Sequence, residues 1–278
     1  MVHARFAGRV AVVLGGGGDI GRATCLRLAG EGAHVVVADS RAQPAQEVVD
    51  EVVAAGGTAE AVEVDVLDAA SVARVFASVG EGGRGLDVLV LCPARASDTH
   101  FERVSESEFD GDVSLTLKAP FFCIQAALPL LLRSPVASVV SIGSVNGIAA
   151  FGNEAYGAAK AGLMNLTQNL ALRYGAQGVR FNVVAPGTIE TRTWDVRRAA
   201  EPDVLERIAA LYPLKRVGRP EDIAAACAFL ASDDAAWVTG TCLAVDGGIT
   251  AGHGALVGEI FGPGFFGPAA SRDDRAGA

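Results

Sequence analysis

The chain has 278 residues, half of them hydrophobic, and a formal net charge of −9; this fits one α/β domain with a sizeable core and argues against a polyanionic partner such as DNA or RNA. Five scattered cysteines without a C-x-x-C pair support neither a disulfide framework nor a zinc site. No apolar run approaches the ~18–20 uninterrupted residues of a bilayer span and Met1 to Gly8 holds no apolar leader core, so the expectation is a soluble cytoplasmic chain with no metal, membrane or nucleic-acid partner.

Short β-branched runs alternate with longer amphipathic stretches. Strands are predicted over Arg9–Leu14, His34–Ala38, Ala59–Val64, Asp87–Leu91, Ala137–Ile142, Arg180–Val184 and Cys242–Val245. Helices are predicted over Asp19–Glu31, Pro44–Ala55, Ala69–Val79, Glu106–Leu132, Asn153–Tyr174 and Glu221–Ala231. Near-continuous apolar strands separated by helices predict a Rossmann-type α/β fold, a doubly wound parallel sheet of about seven strands covered on both faces. One domain is expected over residues 1–252, followed by a C-terminal extension, 253–278. Ligands of such sheets bind beyond the carboxyl ends of the strands, so the residues just after each strand are the candidates.

After the first strand comes Leu14-Gly15-Gly16-Gly17-Gly18-Asp19-Ile20-Gly21, which opens a helix. Glycines permit a tight turn and close backbone approach to a pyrophosphate, and the helix N-terminus adds partial positive charge. A flexible turn is the bland alternative, but here a strand precedes the loop and an acidic residue ends the next strand. That residue is Asp39. A carboxylate there accepts both ribose hydroxyls and repels a 2′-phosphate, which favours NAD over NADP; the nearby Arg41 pulls the other way. Asp65, after the third strand, is a candidate for the adenine edge.

The fifth strand runs into Ser144, and Tyr156 and Lys160 follow at helical i, i+4 spacing, which places them on one face. A cation beside a phenol favours phenolate, so the pair could exchange protons near neutral pH, with Ser144 bonding the same substrate oxygen. Alone, a Tyr-x-x-x-Lys spacing is a common helical accident.

Taken in order, Leu14-Gly15-x-x-x-Asp19-Ile20-Gly21, Asp65-Val66, Ser144, Tyr156-x-x-x-Lys160, Pro186-Gly187-Thr188-Ile189-Glu190-Thr191, Gly218-Arg219-Pro220-Glu221-Asp222-Ile223 and Val245-Asp246-Gly247-Gly248 resemble the short-chain dehydrogenase/reductase family. The likeness covers Phe6 to Gly252. It implies that Tyr156 is the general acid/base, that Lys160 lowers its pKa and holds the nicotinamide ribose, and that Ser144 orients a substrate carbonyl. It implies cofactor contacts from Gly15, Gly18, Asp19, Ile20, Gly21, Asp39, Asp65, Val66, Pro93, Ala94, Pro186 and Gly187, with Ile189 and Thr191 holding the nicotinamide carboxamide. It also implies a homotetramer, through the two longest helices.

Three positions depart from the family pattern. Asp19 replaces the middle glycine; as a good helix N-cap, it is expected to turn onto its own helix N–H groups. Leu91-Cys92-Pro93-Ala94 replaces Asn-Asn-Ala-Gly. Thr116 stands where the family's helix asparagine aligns, and its hydroxyl either binds a relay water or bonds its own helix carbonyl. Substrate contacts are expected from Arg95, either gripping an anion or reaching into solvent, and from Val145, Asn146, Phe151 and Trp194, under a lid from Arg192 to Leu214. The extension's glycines and prolines predict neither helix nor strand. Its phenylalanines predict packing of Ala255–Phe266 onto the body or a neighbouring subunit, with a disordered end. The reading is an NAD-dependent alcohol dehydrogenase or ketone reductase; its rival is a non-catalytic NAD-binding scaffold or sensor.

Overall fold

The computed structural model describes residues 4–81, 85–252, 254–262 and 265. In chain order the elements are β1 (Val10–Leu14), α1 (Asp19–Gly30), β2 (His34–Asp39), α2 (Ala42–Ala54), β3 (Thr58–Glu63), α3 (Ala69–Gly80), β4 (Val88–Leu91), α4 (Glu106–Val113), α5 (Ala119–Leu131), β5 (Ser138–Ile142), α6 (Glu154–Tyr174), β6 (Arg180–Pro186), α7 (Asp195–Ala200), α8 (Val204–Leu211), α9 (Pro220–Ala231), β7 (Cys242–Val245) and α10 (Gly254–Phe261).

The strands form one seven-stranded sheet in the order β3-β2-β1-β4-β5-β6-β7. Every pairing is parallel. Chain order reverses between β1 and β4, where Leu14 lies level with Ala38 on one side and Leu91 on the other. This is the switch point at which an open α/β sheet leaves a crevice. β1 is buried throughout because helices cover both faces. Ala11 and Val13 join the core under α1, α2 and α9, while Val10, Val12 and Leu14 join the core under α3 and α5. Each such fully buried Val or Leu contributes about 1.5–3 kcal/mol. β3 is an edge strand, which explains its alternation of exposed and half-buried residues.

The predicted helix Glu106–Leu132 is not one α-helix. A five-residue π-helical turn, Ser114–Lys118, separates α4 from α5. By length and composition Glu106–Leu131 is apolar enough to cross a bilayer. In the fold it is a layer helix, burying Cys123, Ile124, Ala127, Leu130 and Leu131 against α3 and the sheet.

The expectation of neither helix nor strand in the extension is corrected by α10. The apolar run Leu256, Val257, Ile260 and Phe261 is long enough for two turns, and Gly262 ends it with φ +93°, the usual left-handed stop. Phe261 stacks on Phe265 with ring centres 4.5 Å apart. Within one chain these rings stay 61% and 54% exposed. Phe266 and the end expected to be disordered, Ser271–Ala278, lie outside the described residues.

Candidate active site

The loop after β1 is drawn in tightly. Gly15 and Gly16 N–H both donate to Ala38 O, at 2.8 and 3.1 Å. Gly15 has φ +75°, and a Cβ on Gly21 would lie 2.1 Å from the Gly15 carbonyl oxygen. Both positions therefore demand glycine, one for conformation and one for the close seat of α1 on the turn. Gly18 is the N-cap and supplies no side-chain cap, which leaves the first-turn N–H groups of Asp19, Ile20 and Gly21 without intrahelical acceptors. This cradle fits an anionic phosphate group.

Asp39 ends β2 and is buried. Its Oδ2 accepts from Gly17 N–H at 3.0 Å, and its Oδ1 accepts from Arg41 N–H and Nε at 3.1 and 3.3 Å. The carboxylate is thus fixed beside the glycine loop. Asp65 serves its own turn. Its Oδ1 accepts from Leu67 N–H at 2.8 Å, while the half-buried Val66 packs against the core.

Asp19 does not cap its own helix. Its Oδ2 accepts from Arg192 N–H at 2.8 Å and its Oδ1 from Arg192 Nε at 2.7 Å. As the first residue of α1, Asp19 stands past the cap position, and a nearby guanidinium outcompetes the helix N–H groups.

Ser144, Tyr156 and Lys160 come together beyond the carboxyl end of β5. Ser144 caps a 3-10 turn, accepting from Asn146 N–H at 3.2 Å and donating to Asn146 Oδ1 at 3.1 Å. α6 carries Tyr156 and Lys160 on one face. Lys160 is 1% exposed, its Nζ donates to Ile142 O, and it lies 5.4 Å from the centre of the Tyr156 ring. Burial brings the ammonium down to about 8. The expected lowering of the Tyr156 phenol is corrected for the chain by itself. Burial pushes the phenol above its ordinary value, and the Ser144 hydroxyl only pulls it part of the way back.

Thr116 does not bond its own helix carbonyl. It is fully buried in the π turn, accepts from Arg95 N–H at 3.2 Å and donates to Arg95 O at 3.1 Å. It clamps the backbone after β4 rather than its own helix. π turns reorient a side chain out of the helical repeat, which lets Thr116 reach this loop. Arg95 is exposed, its side chain half in solvent. Its Nε lies 3.5 Å from Oδ1 of the buried Asp112. Cys92 packs under Gly15, and burial pushes its thiol up to about 12. Pro93 is half-buried and Ala94 exposed.

The loop after β6 is held from three sides. Thr188 N–H donates to Tyr212 Oη at 2.7 Å. Gly218 N–H donates to Thr188 O, and Glu190 N–H to Gly218 O, both at 2.9 Å. Pro186 and Ile189 are buried, Gly187 packs on Tyr212, and the Thr191 hydroxyl shares a hydrogen bond with Thr193. The Gly218-Arg219-Pro220 stretch is therefore a brace for this loop. Among the candidate substrate residues, Val145 is buried, Asn146 donates to Gly152 O at 2.9 Å, Phe151 is exposed, and Trp194 is half-buried beside Arg197. The expected lid carries α7 and α8.

A family model described as enoyl-(acyl carrier protein) reductase matches residues 17–250. The chain belongs to the short-chain dehydrogenase/reductase family. It is similar to an uncharacterised oxidoreductase, C922.06, of Schizosaccharomyces pombe, at 39% identity over 91% of this chain and 95% of that protein. It is 36% identical to 2,5-dichloro-2,5-cyclohexadiene-1,4-diol dehydrogenase LinX of Sphingobium indicum, over 89% of this chain and 98% of LinX. Among solved structures it resembles the Pseudomonas aeruginosa RhlG/NADP active-site complex, with TM-score 0.84 and 33% identity over 90% of this chain and 99% of that one.

Short-chain dehydrogenases/reductases are oxidoreductases that use a nicotinamide cofactor. The fold brings Gly15–Gly21, Asp39, Cys92–Ala94, Ser144, Tyr156, Lys160 and the Pro186–Thr191 loop to the carboxyl ends of β1, β2, β4, β5 and β6. Sequence reasoning missed Tyr212 and Arg192. No local spacing announces Tyr212, whose phenol works 24 residues away. Arg192 directly follows Thr191, so a charge beside the loop after β6 was the available signal.

Proposed function

We propose that this short-chain dehydrogenase/reductase moves a hydride between NAD(H) and a small carbonyl or secondary alcohol, with Tyr156 as general acid and base. The carrying observation is the buried Lys160, tied to Ile142 O and set 5.4 Å from the Tyr156 ring beside Ser144. A buried lysine costs stability, and proton transfer at Tyr156 is a use for it. When bound, the cofactor supplies the hydride chemistry. In reduction Tyr156 gives its proton to the carbonyl oxygen, and in oxidation it takes that proton back. Lys160 favours the phenolate and offers its remaining N–H groups to the cofactor ribose. Ser144 turns its hydroxyl from Asn146 to the substrate oxygen.

NAD is favoured because the Asp39 carboxylate is buried and fixed at the end of β2, where it would repel a 2′-phosphate. Val145, Asn146, Phe151 and Trp194 form the substrate side. Phe109, Phe121, Phe122 and Leu172 stand exposed on α4, α5 and α6, which supports tetramer assembly through these helices.

One observation favours the rival scaffold. The Thr116 hydroxyl spends its proton on Arg95 O and has none for a relay. Turnover of ketones and secondary alcohols with NADH and NADPH in parallel, for wild type and Tyr156→Phe, separates the two. NADH-preferring turnover lost in the variant supports the enzyme. Tight NADH binding without turnover supports the scaffold.

A further inference from the structure

Asp19 poses an electrostatic problem. It puts a carboxylate on the first residue of α1, beside the N–H groups suited to a pyrophosphate. Like charges so close would weaken the binding of a dinucleotide. The structure meets this charge from the far side of the crevice. Arg192 donates to Asp19 through its backbone N–H and through Nε, and its Nη2 donates to Gly17 O at 3.0 Å. Residues 173 positions apart thus join the phosphate loop to the loop expected to hold the nicotinamide. Nη1 of Arg192 makes no hydrogen bond among the described residues, and the side chain is 56% exposed. A pocket of about 230 Å³ opens at the clasp, with Asp19, Arg192 and Thr191 in its wall.

We propose that Asp19 and Arg192 form a clasp over the cofactor. Arg192 is a binding residue for the pyrophosphate, and Asp19 is the positioning residue that holds it there. The guanidinium cancels the charge of Asp19 and keeps donors toward the anion, a role suited to the arginine fork. Because Arg192 adjoins Thr191, the same contact carries pyrophosphate binding to the nicotinamide loop. The clasp rests on the nicotinamide-dinucleotide reading above and deepens it.

The test is equilibrium titration of NADH, ADP-ribose and AMP against wild type, Arg192→Gln, Asp19→Asn and the double variant. Hydrogen exchange over residues 190–200 of the cofactor-free proteins accompanies it. Arg192→Gln leaves Asp19 uncompensated, so NADH and ADP-ribose should bind about 10–100-fold more weakly, the size of a lost charge-assisted contact plus a new repulsion. AMP, which has no pyrophosphate, should change less than about threefold on the same reasoning. The double variant should bind NADH more tightly than Arg192→Gln, because the repulsion has gone too. Faster exchange over residues 190–200 in both single variants is expected before any cofactor is added. Unchanged NADH and ADP-ribose affinity in Arg192→Gln, or equal losses for AMP, would overturn the clasp alone. Failure of the wild type to bind NADH, NADPH or ADP-ribose would overturn the clasp together with the reading beneath it.

Discussion

The Lys160 ammonium donates to the carbonyl oxygen of Ile142, the last residue of β5. A side chain of α6 is thereby fastened to the strand whose end carries Ser144, and Lys160 inherits the rigidity of the sheet.

That fastening has a pH signature. Burial lowers the ammonium from 10.5 to about 8. Between those values the unfolded chain holds more protons than the folded one, so this group makes stability rise with pH across that window. Below pH 8 the group is charged in both states and its burial cost is fully present. Thermal unfolding of the cofactor-free protein at about pH 7.5 and about pH 10 should show wild type gaining on Lys160→Met. A constant gap between the two would contradict a buried, titrating lysine.

The phenol should be hard to ionise before ligand arrives. Burial raises Tyr156 above its ordinary value. An ultraviolet difference titration, wild type minus Tyr156→Phe, should place the midpoint above 10. A midpoint near 7 without cofactor would mean that the protein alone tunes the group.

Thr116→Val removes one donor and one acceptor from the Arg95 backbone and keeps the shape. The expected cost is about 1–2 kcal/mol in denaturant unfolding. With the clamp on Arg95 as its whole role, the pH profile of kcat should keep its midpoints. A displaced midpoint with unchanged stability would reassign Thr116 to the relay.

Light scattering should return four chain masses. Phe121→Asp with Phe122→Asp should lower that number, because both rings stand exposed on α5. A monomeric wild type would remove the assembly from the proposal.

Much of this architecture was legible because periodicity is local. β1, β2, β5 and β6 are short apolar runs, and each was predicted to within two residues of its end. The glycine loop and the Tyr156–Lys160 spacing are local too. What escaped involves distant partners or a balance of forces. Arg192 and Asp19 meet only through the fold, so no window of sequence pairs them. Nothing in Ser114-Leu115-Thr116-Leu117 reveals a π turn, so the sequence does not bring Thr116 to Arg95. The glycines and prolines of the extension argue against a helix, yet Gly254, Gly258 and Gly262 leave enough apolar residues between them for one to form. The spacing shows the cation near the Tyr156 phenol but not the burial that dominates it.

The strand order also sets a sequence of assembly. β1 lies third from one edge, β2 and β3 are added on that side, and β4 to β7 follow on the other. The pairing of Ala11 with Val88 is the long closure, and every later strand adds beside its predecessor. Such closures are slow steps, because chain entropy is lost before contacts compensate for it. Pulse-labelled refolding should therefore protect β1 before β7, and the reverse order would refute this sequence. A chain growing from its N-terminus has the strands flanking the nucleotide crevice as soon as Leu91 is free, well before the helix bearing Tyr156 has been made.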